Sequence, residues 1–235
     1  MSTKMHGMTG RLSFQHTILS VLFLSAAILP LRGNISAEKS DTIGTNITEL
    51  RKLYSINKMI PAELEKEILV SLSHYPELSN VKIRFTYGSI FTSMKAVPTL
   101  GFIFKKRENR VYRIVMNKKQ CASGTNLMQR APSSALTGVL GHELGHIKDY
   151  SQLSNFGLIK FMFSYIFKKG RVEAEKRADR FAVEHHLGEE LLEFNNYIMN
   201  DACMDPKYIR YKKKFYNSSD ALGEMVNSHE NLTSF

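Results

Sequence analysis

Residues 133–150 read Ser-Ser-Ala-Leu-Thr-Gly-Val-Leu-Gly-His-Glu-Leu-Gly-His-Ile-Lys-Asp-Tyr. At 100° per residue, Leu136, Leu140, Leu144 and Ile147 form one stripe of a helix. Val139, His142, Glu143 and His146 form its neighbour, and Gly138, Gly141 and Gly145 form a third. Each glycine inside a helix costs about 1 kcal/mol relative to alanine. The third stripe therefore predicts that another backbone comes close on that side.

Patterns on either side set the class. Pro61 followed by Ala-Glu-Leu-Glu-Lys-Glu predicts a helix running to about Tyr75. Residues 81–85 and 111–115 alternate apolar with polar, and Thr99 to Phe104 is apolar with one glycine. A turn at Arg107-Glu108-Asn109 would join the last two as a hairpin. From residue 133 onward the pattern is helical, over about 133–150, 156–168, 171–187 and 189–199. A small antiparallel sheet followed by helices gives an α+β fold.

His142 and His146, four apart on one helical face, can place both imidazoles on one tetrahedral zinc. Glu143 beside them can act as general base toward an attacking water and return the proton to the leaving amine. Zinc needs a further protein ligand. On helix 171–187, Glu173, Lys176, Arg177, Arg180 and Glu184 share a charged, solvent-facing side. Glu175 and Asp179 lie opposite with Val172, Ala182 and Val183. Glu175 is thus the expected third ligand, and Asp179, one turn on, the group that orients a zinc histidine. His186 lies about 16 Å further along the helix, so His185 and His186 are given structural or surface roles. The metzincin plan fails, because Asp149 and Gln152 stand where it needs Gly and His.

His142-Glu-x-x-His146 followed by Glu175-Lys-Arg-Ala-Asp179 resembles a gluzincin. It is similar to the peptidase family of HtpX and the CAAX prenyl proteases, over about residues 110–187. That resemblance implies zinc on His142, His146 and Glu175, catalysis by Glu143, and exported periplasmic relatives. In membrane members the interval between the motifs holds transmembrane helices. The segment 175–182 also resembles the IrrE/ImmA type of metallopeptidase, which commonly has Asn in place of Asp179 and is usually cytoplasmic. In zinc peptidases of the resembled kind, the strand before the active-site helix, here about Tyr112 to Met116, pairs with extended substrate. The expected partner is accordingly an unfolded or extended polypeptide.

The rest of the chain bounds the setting. Lys4 and Arg11 precede a continuously apolar or small run from Ile18 to Leu31, the order of a signal peptide. Cleavage after residue 37 would lower the formal charge from +10 to +7. The expected organisation is signal peptide or anchor 1–37, linker 38–47, metallopeptidase domain 48–200 and basic tail 201–235. The protein is then exported, periplasmic or secreted. Its lysines come in short runs, as in Lys105-Lys106-Arg107 and Lys168-Lys169, which fits solvated surface and leaves membrane-surface contact open. No nucleic-acid motif is present. Cys121 and Cys203 could form one disulfide or remain separate thiols. Residues 156–167 are almost wholly apolar around Lys160, too short to span a bilayer. They read first as a core helix, otherwise as one dipping into a membrane surface or flanking substrate. An exported zinc endopeptidase is the leading expectation. A catalytically silent metal-binding protein acting on envelope partners is the rival.

Overall fold

Four strands and nine helices make up the described part of the chain, residues 43–119, 124–200 and 204–233 of the computed structural model. The signal segment 1–37, the start of the linker, and Cys121 and Cys203 lie outside the described residues. The strands are β1 (Lys58–Met59), β2 (Lys82–Gly88), β3 (Met94–Pro98) and β4 (Val111–Asn117). The helices are α1 (Ile43–Tyr54), α2 (Glu65–Ser73), α3 (Leu127–Arg130), α4 (Ser133–Gln152), α5 (Asn155–Ile166), α6 (Lys168–Glu184), α7 (Gly188–Asn200), α8 (Pro206–Phe215) and α9 (Ser219–Thr233). The α+β class follows the sequence reading.

Helix α4 is the axis of the fold. It is buried without a break from Ala135 to Ile147, packed against α2, α6, α7 and β3. A helix with apolar residues on several sides is stable only when enclosed in this way. The glycine stripe makes the enclosure possible. A Cβ on Gly138 would lie 2.1 Å from the Glu190 carbonyl carbon of α7, and one on Gly145 would lie 3.0 Å from the Ala178 oxygen of α6. The end of α4 is held by buried Arg110, which donates to the carbonyls of Leu153 at 2.8 Å and Tyr150 at 3.4 Å. A cation there satisfies terminal carbonyls and suits the negative end of the helix dipole.

The sheet departs from the expected antiparallel hairpin. Its order is β1-β2-β4-β3, with β1–β2 and β2–β4 parallel and only β3–β4 antiparallel. The chain reverses from β2 into β3 and again into β4, which slots between them, so β2 and β4 run the same way. The partner of β4 is Met94–Pro98 and not Thr99–Phe104. Gly101 adopts a left-handed φ of 82°, and Phe102–Phe104 forms a 3-10 turn, which ends extended structure there. Residues 112–116 are therefore in a central strand, and β3 is the edge strand beside α4. Expecting substrate pairing at Tyr112–Met116 is corrected on that ground.

Three further segments differ from expectation. Residues 43–47, assigned to a linker, open α1, whose Ile43, Ile47, Leu50 and Tyr54 have amphipathic spacing despite the turn-prone residues between them. Residues 206–233, read as a basic tail, form α8 and α9. Leu222 and Val226 of α9 pack on Ala182, Val183 and Leu191, and Tyr208 of α8 joins the main core. Residues 156–167 form a helix but not a core one: in α5 only Leu158 is buried. Among the described residues no helix is long and apolar enough to cross a membrane.

Candidate metal centre

Close packing of Gly145 on α6 brings the polar stripe of α4 against the inner face of α6. His142, Glu143 and His146 then meet Glu175 and Asp179, and all five are buried. Oε2 of Glu175 lies 3.2 Å from Nε2 of His142 and 3.3 Å from Nε2 of His146. Nδ1 of His142 lies 2.8 Å from Oδ1 of Asp179. That bond turns Nε2 inward, toward the other donors. The structure thus brings together every predicted ligand, the predicted base and the predicted orienting carboxylate.

The donor atoms of His142, His146 and Glu175 lie within 4.8 Å of one another and could hold a metal ion. Two imidazoles and a carboxylate are a suitable set for a divalent transition ion. Glu143 is not part of this set. Its Oε2 is buried and has no hydrogen-bond partner among the described residues.

Charges in so small a buried volume shift one another. Burial alone would lower the pKa of His142, but hydrogen bonds and charge from Asp179 and Glu175 outweigh it and push it up to about 10 without a metal. Burial would raise Glu175, yet the two histidines hold it well below the usual carboxylate range. Glu143 goes the other way: burial lifts its carboxyl above that range against the two histidines and a backbone hydrogen bond from Ala96. A carboxyl lifted in this way is a better proton acceptor than a surface one.

Sequence reasoning missed four surrounding groups. Tyr165, at the inner end of α5, donates its hydroxyl to Oε1 of Glu175, leaving Oε2 to face the histidines. Asn217 donates to Oδ2 of Asp179 at 2.8 Å. The Tyr216 ring lies 5.7 Å from the His142 ring. Buried Lys212 stands over Tyr216 at 4.6 Å. The last three come with α8, which covers the site. Arg171 of α6 holds this cover, lying 4.9 Å from the Phe215 ring and 5.8 Å from that of Tyr211. A stripe of Tyr208, Lys212 and Phe215 was the available signal, but its lysine made it read as polar.

His185 has the structural role expected. Its ring stacks on Tyr75 at 4.1 Å, and Nε2 lies 2.9 Å from Oε1 of Glu77. His186 lies beside His229, with ring centroids 5.4 Å apart. Compared with known protein families, curated proteins and solved structures, the chain matches none, so the reading of this centre rests on its own geometry.

Proposed function

We propose that the chain is a zinc-dependent endopeptidase of gluzincin type, exported and acting on extended polypeptide. The observation that carries the proposal is Glu143, a buried carboxylate with a raised pKa and a free oxygen beside the His142, His146 and Glu175 donors. A purely structural metal site has no use for such a group. Two of the three donor separations are also compatible with zinc. Two ligands about 2.0–2.1 Å from a tetrahedral zinc stand roughly 3.3–3.4 Å apart, close to the 3.2 and 3.3 Å between Glu175 and the two histidines.

Zinc held there would supply Lewis acidity, lowering the pKa of a water from 15.7 to about 7 and polarising the scissile carbonyl. Glu143 accepts the proton of the attacking water and delivers it to the leaving amine. Asp179 keeps His142 in the required tautomer, and Tyr165 fixes the carboxylate of Glu175. At the two ends of β3, the Asn117 amide donates to the Ser93 carbonyl and the Thr99 amide donates to the Val111 carbonyl, each at 2.9 Å. These bonds set residues 93, 95, 97 and 99 toward β4, so Met94 and Ala96 turn their backbone groups outward; the Met94 carbonyl accepts from Thr92 at 2.7 Å and the Ala96 amide donates to Glu143, which leaves the Met94 amide and the Ala96 carbonyl for an extended chain. Ala96 reaches Glu143 from that edge. An extended chain pairing there is carried past the general base, with affinity drawn from main-chain bonds and little side-chain selectivity.

The silent-protein reading has one observation in its favour, the cover that α8 and Tyr216 place over the centre. Glu143→Gln separates the two. It keeps size and helix propensity, so metal content and melting temperature stay near wild type, while cleavage of casein falls at least about 100-fold. Equal, metal-dependent cleavage by both proteins would remove Glu143 from the mechanism and overturn the proposal.

A further inference from the structure

Helix α5 is apolar on the wrong side for a water-facing helix. Its outer face carries Phe156, Met162, Phe163 and Ile166, continued by Phe167. Phe156 is 77% and Phe163 64% exposed. The loop after β3 adds to the same side. Asn155, at the start of α5, donates to the carbonyls of Ile103 at 2.9 Å and Lys105 at 3.2 Å, tying to the helix a loop in which Leu100 is 99% and Phe104 87% exposed. Single exposed apolar residues are ordinary, but a contiguous group of this size marks an interaction surface.

The charges around the group identify its partner. Lys105, Lys106, Arg107, Lys160, Lys168 and Lys169 are all exposed on the same two segments. Across residues 99–110 and 154–172 the single acid is Glu108. Large aromatic and aliphatic side chains with a basic margin match a lipid surface: the rings enter the acyl boundary and the ammonium groups meet anionic headgroups. A second copy of the chain would set one basic margin against another. A polyanion without an apolar phase would leave the phenylalanines in water. At 12 residues α5 is about 18 Å long, too short to cross roughly 30 Å of hydrocarbon, so it lies along the surface.

We infer that α5 and the 99–107 loop form a membrane-docking face that inserts shallowly into an anionic bilayer. This inference is independent of the peptidase reading, since it involves neither the metal donors nor Glu143.

The chain contains no tryptophan, so Phe163→Trp places a single fluorescent reporter in the middle of the face without touching the core. The full-length variant is mixed with vesicles of phosphatidylcholine alone, or of phosphatidylcholine with phosphatidylglycerol. With the mixed vesicles its emission shifts to the blue and is quenched by brominated lipid. Lys168→Gln/Lys169→Gln in the same background raises the lipid needed for half-maximal quenching roughly 30-fold, about fivefold for each basic group lost at the surface. Leu232→Trp, at the exposed end of α9, stays unquenched in the same vesicles, which separates docking by this face from tethering by another segment. Emission of Phe163→Trp unchanged by mixed vesicles would overturn the inference. So would an equal response to neutral vesicles, or a lipid-free shift that grows with protein concentration, which would assign the face to a second copy.

Discussion

His142 and Asn217 hold the two oxygens of one carboxylate. Nδ1 of His142 lies 2.8 Å from Oδ1 of Asp179, and Nδ2 of Asn217 donates to Oδ2 at 2.8 Å. Asp179 is thereby fixed from both sides, and the histidine it orients has little freedom to turn. Removing an orienting partner of this kind typically costs about 10–100-fold in metal affinity. Asp179→Ala is expected to lose that much in a chelator competition, and Asn217→Ala to lose less because the histidine bond survives. Wild-type affinity in Asp179→Ala would leave the carboxylate without a part in metal binding.

Metal content distinguishes donors from their supports. His142→Ala, His146→Ala and Glu175→Ala each remove a ligand and should bring a purified sample from about one equivalent to near none. Tyr165→Phe only releases Oε1 of Glu175, so it should retain metal with weakened affinity. Full occupancy in Glu175→Ala, measured by elemental analysis, would require a different third donor.

Acid should loosen the metal. The free site holds a proton on His142 up to about pH 10, and that imidazole must lose it before Nε2 can coordinate. Below pH 10 the proton competes, so affinity should fall about tenfold for each unit of acidification while a single proton is displaced. Calorimetry in buffers of different ionisation enthalpy reads the released proton directly. A binding constant that does not vary between pH 6 and 8 would contradict this linkage.

The two glycine contacts should differ in their tolerance of a methyl group. At Gly138 the added carbon would meet the α7 backbone at 2.1 Å, and at Gly145 the nearest atom is 3.0 Å away. Overpacking of a tight core typically costs about 1–3 kcal/mol, against about 1 kcal/mol gained in helix propensity. Gly138→Ala should therefore lower the melting temperature by several degrees, and Gly145→Ala by less. Equal melting of the two variants would show that α4 and α7 separate more readily than their spacing implies.

Proline placed in the edge strand should act differently at adjacent positions. Lys95 bonds to β4 in the register set by Ser93 and Thr99, so Lys95→Pro should reduce stability. Ala96 turns its amide away from β4 and donates it to Glu143, so Ala96→Pro, which removes that bond, should reduce cleavage more than stability. A drop in stability alone for both would leave the Ala96 amide without a part in cleavage.

How much of this was readable in the sequence depends on what kind of signal each part leaves. The α4 and α6 faces were legible because chemistry and period coincide: His142, Glu143 and His146 on one stripe, Glu175 and Asp179 on another. Pairing in the sheet was not, because β2 and β4 alternate in the same way whichever direction they run. Leu100, Ile103 and Phe104 look like strand residues because an apolar run does not say whether its surroundings are protein or another phase. Tyr208 and Phe215 of α8 were hidden by Lys212 between them, a buried cation in a position that normally signals solvent.

The cover over the metal centre has a reciprocal consequence. Asn217 belongs to the segment that closes the site, yet it also steadies the carboxylate that steers His142. On the peptidase proposal, moving this cover aside to admit a polypeptide would withdraw the support given by Asn217. Closure and metal retention are therefore thermodynamically linked: whatever tightens one tightens the other, by the same factor in both directions. On the peptidase proposal, such a linkage would hold the ion most firmly at rest and expose it most to loss during turnover.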